Sequence, residues 1–176
     1  MAERRFIPVI VRGLAIDPES RQPVLLLQDA TARLLLPIWV GAAEAAGIAS
    51  QLSDDRPARP LTADLAHTLL GRLGARVERL DVRAVEDGVF MGDLLVRDRE
   101  GRVHRLDCRP SDGVALALRD RATIRVECTV MEEARTMDLA ELDPPRHAIS
   151  ADDDAGRARL LATLGDLDPQ DLGYKM

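Results

Sequence analysis

The groups able to do chemistry crowd into six consecutive residues, Asp107-Cys108-Arg109-Pro110-Ser111-Asp112. Together they hold two carboxylates, a guanidinium, a thiol and a hydroxyl. Val103 and Leu106 mark a strand-like stretch upstream, and Gly113-Val114-Ala115-Leu116-Ala117-Leu118 is an unbroken apolar run downstream. Pro110 suits the first turn of a helix, where its missing N–H costs nothing. Ser111 and Asp112 suit the same turn, because their oxygens meet free backbone donors and the dipole favours negative charge there. The spacing predicts a strand that delivers polar groups to the mouth of a buried helix. Capping alone accounts for Ser111 and Asp112, but a cap needs neither Asp107 nor Arg109.

A second stretch rhymes with this one. Arg59-Pro60-Leu61-Thr62-Ala63-Asp64 also sets Arg-Pro before a hydroxyl and a carboxylate at a helix start. Two helix N-termini, each with an arginine, make an anion site if they converge. Asp64 and His67 lie three apart on one helix face, which is a metal-ligand spacing, but two residues are a weak signal and the spacing reads first as a solvent-facing pair. Glu44 is the one charge in the alanine-rich stretch 41–53. A carboxylate there fits the solvated side of the helix.

The elements that must carry these residues follow from local pattern. Phe6–Val11 reads as a strand, and Asp17-Pro18 as a turn. Two apolar runs, 23–28 and 33–39, form a hairpin across Asp29-Ala30-Thr31-Ala32, without the glycine of the strongest hairpin signal. Residues 41–53 and 61–73 read as helices. The second carries Leu61, Leu65, Leu69 and Leu73 along one side and is stopped by Gly74. Strands at 76–82, 89–96 and 103–108, joined by Asp-Gly and Glu-Gly turns, indicate an antiparallel meander. After the apolar helix come a last strand, Thr123–Glu127, and a short helix from Cys128 to Ala134. The expected class is α+β, a largely antiparallel sheet with helices packed on it. Residues 1–131 form the domain. Residues 132–176 form an acidic linker and a short amphipathic helix through Leu160, Leu161 and Leu164, begun by Ser150 and Asp153 and stopped by Gly165.

Composition narrows the function classes. Of 176 residues, 46% are hydrophobic, enough for a core, but only 2% are aromatic. Recognition by extensive base stacking is thereby disfavoured. The net charge of −6 lies entirely in the tail, where 11 acidic residues face 5 basic ones, while the body balances 19 against 19. A neutral body is no general polyanion platform. All basic residues but Lys175 are arginines, which suit bidentate contacts to carboxylate or phosphate. No apolar run approaches the roughly 20 residues of a membrane span, and the N-terminus lacks a signal-peptide core. A cytoplasmic protein with reduced Cys108 and Cys128 is expected.

Three stretches taken together resemble the bifunctional nuclease family: Leu36-Pro-Ile-Trp-Val-Gly-Ala-Ala-Glu44-Ala45, Arg59-Pro-Leu-Thr-Ala-Asp64-Leu65, and Asp107-Cys-Arg-Pro-Ser-Asp112-Gly-Val-Ala-Leu-Ala117. The resemblance covers about residues 6–131 and includes the order and spacing of the three. It implies an α+β domain, a wedge-shaped homodimer with a large groove, and cleavage of both DNA and RNA. The chain departs from the family at Ala63, where His is frequent, and at Gly113, where Ala is common. A base supplied by that imidazole is therefore ruled out here. A workable chemistry for phosphodiester hydrolysis places one or two Mg²⁺ or Mn²⁺ ions on Glu44, Asp64, Asp107 and Asp112. Arg59 and Arg109, with Thr62 and Ser111, hold the phosphate. The rival reading is a non-catalytic regulatory or anion-binding homodimer, in which the same arginines pair with the same aspartates.

Overall fold

The computed structural model describes residues 5–53, 57–136 and 149–150. The first three strands are β1 (Phe6–Ile16), β2 (Pro23–Asp29) and β3 (Leu35–Trp39). β2 and β3 pair as a hairpin, Leu25 opposite Ile38 and Leu27 opposite Leu36. Its loop needs no glycine because Asp29 ties it: Oδ1 accepts the N–H groups of Arg33 (2.9 Å) and Leu34 (2.6 Å). Next come α1 (Ala42–Leu52), α2 (Thr62–Arg72) and the meander β4 (Arg76–Glu86), β5 (Val89–Arg97), β6 (Val103–Cys108). The chain closes with α3 (Pro110–Asp120), β7 (Thr123–Glu127), α4 (Cys128–Thr136) and the two-residue β8 (Ile149–Ser150).

These strands form one sheet in the order β3-β2-β1-β7-β4-β5-β6, and β8 lies beside β1 at Gly13 and Leu14. The sheet is largely antiparallel, as expected. One neighbour pair breaks the pattern: β7 runs parallel to β4 and antiparallel to β1, between them. α3 is the crossover that makes this possible, since a parallel return needs a long connection. Ser150, expected to cap the helix of the tail, pairs with Gly13. The expected helix through Leu160, Leu161 and Leu164 lies outside the described residues.

Period-two alternation splits the sheet into two faces. Val77, Leu80, Val82, Leu94, Val96, Ile124 and Val126 are buried together under the helices, with Val114 and Ala117 of α3 and Ile48 of α1. Across β4, β5 and β7 the alternate residues, Arg79, Asp81, Asp93 and Arg125, point to the other face. α2 forms where the pattern placed it. Leu65, Leu69 and Leu73 share a side as the spacing required, but that side is 57%, 55% and 72% exposed. The helix packs through Ala63 and Leu70 instead. No helix among the described residues is long and apolar enough to cross a membrane.

Candidate active site

Two helix N-termini converge on Arg109, and they belong to α1 and α3. Arg109 is the N-cap of α3, followed by Pro110, and makes no side-chain cap of its own. Its guanidinium grips Asp112 in the first turn of the same helix, Nε to Oδ2 at 2.8 Å and Nη2 to Oδ1 at 3.1 Å. Nη2 also meets Glu44 Oε1 at 2.8 Å, from the first turn of α1. Each carboxylate thus sits where the helix dipole favours it, and both pair with one shared cation. Glu44 is not on the solvated side of its helix; only 11% of its side chain is exposed. It folds back over Gly41, where an added Cβ would lie 2.3 Å from Oε2. The hydrogen bonds of Asp112 hold the Arg109 guanidinium well above its ordinary pKa, so it stays charged. Among the described residues its Nη1 carries no hydrogen bond, and the side chain is 61% exposed.

Asp107 stands one residue before the turn, at the end of β6, with 80% of its side chain open. Its Oδ1 accepts from Arg83 Nη2 at 3.0 Å, and Arg83 Nε reaches Asp93 at 3.2 Å. Arg83 lies at an irregularity in β4, where the register shifts between Val82 and Ala84. A bulge of this kind re-aims a side chain. Cys108 is the counterexample in the motif. Burial, reinforced by Asp112, Asp107 and Asp93, pushes its thiol up to about 11, so it is no thiolate nucleophile at neutral pH. Both Cys108 and Cys128 are free.

The remaining candidates lie elsewhere. Asp64 accepts from Leu61 N–H at 2.7 Å and from Arg119 Nε at 2.8 Å; Arg119 is a nearly buried arginine of α3. This ties the first turn of α2 to the last turn of α3, so the Arg59 and Arg109 helix starts do not converge. His67 bonds Asp120 at 2.7 Å rather than pairing with Asp64. Arg59 and Thr62 are exposed at the approach to α2, and Ser111 is buried. Glu44 and Asp112 come together on Arg109, but Asp64 does not join them. Among the described residues no three Asp, Glu, His or Cys side chains form a metal-holding group.

Beside the Arg109 turn, the sheet face that no described helix covers forms a shallow groove of about 1260 Å³. Its floor is a charged lattice. Asp81 is buried between Arg125 (Nε to Oδ1, 2.8 Å; Nη2 to Oδ2, 2.9 Å) and Arg79 (Nε to Oδ2, 3.0 Å). Burial pushes the Asp81 carboxyl up, but the bonds from Arg125 and Arg79 outweigh that and hold it below its ordinary value. Arg105, 3.7 Å from Asp93, and Asp107 complete the wall beside Arg109.

With this geometry in place, comparison with known proteins is informative. Residues 24–138 match the bifunctional nuclease domain. The chain belongs to that family. It is also 40% identical over 126 residues to two uncharacterized proteins of Mycobacterium tuberculosis, from strains CDC 1551 / Oshkosh and H37Rv. Each alignment covers 72% of this chain and 74% of the relative. In this bifunctional nuclease domain Arg109, Asp107, Asp112 and Glu44, singled out by motif, lie at the turn, whereas no motif singled out the groove residues Arg79, Asp81, Arg83, Asp93, Arg105 and Arg125. The signal was present: charges at 79, 81 and 83 alternate with Leu80 and Val82, the mark of a strand with one charged face.

Proposed function

We propose that this protein hydrolyses phosphodiester bonds of DNA and RNA at the Arg109 turn. The observation that carries the reading is an exposed, doubly anchored guanidinium at two helix starts, opening onto an arginine-lined groove in a nuclease-family domain. Arg109 clamps the phosphate and neutralises charge developing on its oxygens. Glu44 and Asp112 fix its orientation. Asp107, held through one oxygen by Arg83, accepts the proton of the attacking water with the other. The new P–O bond forms as the ester P–O bond breaks, and the leaving oxygen is protonated from solvent.

The four-carboxylate metal set of the sequence does not fit this geometry. Glu44 and Asp112, which share one cation between two negative charges, are the carboxylates we assign to such an ion, since Mg²⁺ asks for only one or two carboxylates beside phosphate oxygens. Mg²⁺ or Mn²⁺ held there would supply further charge neutralisation and a more acidic water. Pure protein should cleave labelled DNA and RNA strands, and Arg109→Ala should lower the rate by roughly 100-fold while the fold is kept. Chelator and metal add-back measure the cation requirement. No cleavage of either polymer with Mg²⁺ or Mn²⁺ sinks the reading.

One observation favours the second reading, a non-catalytic anion-binding homodimer: Glu44, Asp64, Asp107 and Asp112 are all engaged by arginines. Inorganic phosphate or oligonucleotide binding without turnover distinguishes it. Both readings include a homodimer, supported by the exposed leucines of α2. Light scattering at micromolar concentration should give about twice the 19.3 kDa of the chain.

A further inference from the structure

The sheet face opposite the described helices concentrates the two things that an unpaired nucleotide binds. The chain has only two phenylalanines, one tryptophan and one tyrosine, and both phenylalanines, Phe6 and Phe90, line the groove. So do Arg79, Arg83, Arg105 and Arg125. The low aromatic content, which argues against stacking over the whole surface, says nothing against one stacking point. Arg125 makes such a point. Its Cζ lies 4.8 Å from the centre of the Phe6 ring, and Asp81 fixes the guanidinium through two parallel bonds. A guanidinium held in this way is a flat, rigid plate that has already lost its rotamer freedom, and 30% of the side chain stays open. Asp81 brings one negative charge to two arginines, which leaves the lattice with a surplus positive charge beside the plate. Stacking surface and phosphate attraction therefore occur together, on a face that no helix among the described residues covers.

We propose that this face binds single-stranded nucleic acid, with one base stacked on the Phe6–Arg125 plate and its flanking phosphates on Arg79 and Arg83. This rests on the nuclease reading for its choice of ligand, and it adds a substrate preference: unpaired over paired strands. A duplex keeps its bases stacked on each other and offers the plate only its backbone.

The test uses the full chain and three nuclease-resistant phosphorothioate probes of equal length: a labelled single strand, the same strand annealed to its complement, and an abasic chain. Binding is read by fluorescence anisotropy at moderate salt. The single strand should bind about 10-fold or more tightly than the abasic chain and the duplex. Phe6→Leu removes the ring but keeps apolar volume, and Arg125→Lys keeps the charge but loses the plate. Each should erase most of that difference with circular dichroism unchanged. Equal affinity for based and abasic chains overturns the proposal, as does retention of the preference in both variants. A change in oligomeric mass in place of nucleic-acid affinity also overturns it and makes the face a protein interface. Cleavage assayed in parallel separates the two readings. Turnover without the preference sinks this inference alone, and the preference without turnover sinks the nuclease reading alone.

Discussion

Arg109 and Arg125 are both gripped by carboxylates, but their surroundings are inverted. At Arg109 one guanidinium serves two acids, Glu44 and Asp112, on an exposed rim. At Asp81 one buried acid serves two guanidiniums, those of Arg125 and Arg79. The first group carries a surplus negative charge and the second a surplus positive one. The stretch richest in chemical groups is thus the less attractive of the two to an unaccompanied phosphate, and the sheet face is the better collector. On the proposed nuclease reading, nucleic acid drawn by the second cluster would be brought to the first, where a counter-charge would offset the surplus acid.

The largest effect that tests this inversion is on stability. Asp81→Asn leaves two arginines facing each other over a buried amide. It should cost roughly 2–3 kcal/mol, discounted from a fully buried pair because both arginines are about a third exposed. Urea denaturation measures it, and a loss under about 0.5 kcal/mol would show that Asp81 is not the keystone of that lattice.

Gly113→Ala comes next, beneath the first cluster. An added Cβ would lie 2.4 Å from Leu80 Cδ1 and 3.2 Å from Cys108 Sγ. Alanine gains about 1 kcal/mol in helix propensity, but overpacking against a buried leucine costs about 1–3 kcal/mol. A net loss of about 1 kcal/mol is expected. Combined with Leu80→Val, the double variant should be more stable than the sum of the singles by a similar amount, which a double-mutant cycle reads. Strict additivity would mean that the two side chains do not compete for space.

Asp112→Asn should be milder still in stability, under about 1 kcal/mol, because its ion pair is solvent-exposed. The same change should relieve repulsion and tighten phosphate binding at Arg109, measurable by calorimetry with inorganic phosphate at low salt. Weakened binding would mean that orientation of Arg109 matters more than its neighbours' charge.

Acid gives the finest resolution. Asp81 titrates below its ordinary value when folded, so it contributes stability that is complete above the unfolded value near 3.8 and is lost as pH falls further. Denaturation midpoints should be level above about pH 5 and drop below about pH 4. Asp81→Asn should flatten that drop, and a slope unchanged by the substitution would assign it to other carboxylates.

Much of the architecture was legible because it is local. Hairpins, meander and the α3 start follow from alternation, turn residues and Pro110. The position of β7 was not, since no periodicity says which strands a five-residue run will join. The leucines at 65, 69 and 73 show the same limit: spacing fixes that they share a side, not that anything covers it. At the site, Arg109, Asp107 and Asp112 announced themselves by adjacency. The partners that decide their chemistry, Glu44 and Arg83, lie 65 and 24 positions away in the chain. Local pattern carries no sign of such a pairing.

β7 also has a temporal consequence. The strands on its two sides, β3-β2-β1 and β4-β5-β6, meet only through it, and it is formed by residues 123–127. On a ribosome each half has its hydrogen-bonding partners early, yet the seam between them waits for nearly three-quarters of the chain to be made. Phe6, Arg125 and Asp81 stand on β1, β7 and β4, one on each side of that seam and one on it. Long-range closure of this kind is slow relative to hairpin formation. The Phe6–Arg125 contact is therefore a reporter of finished folding: until the last central strand is in place, the nascent protein has no such plate to present.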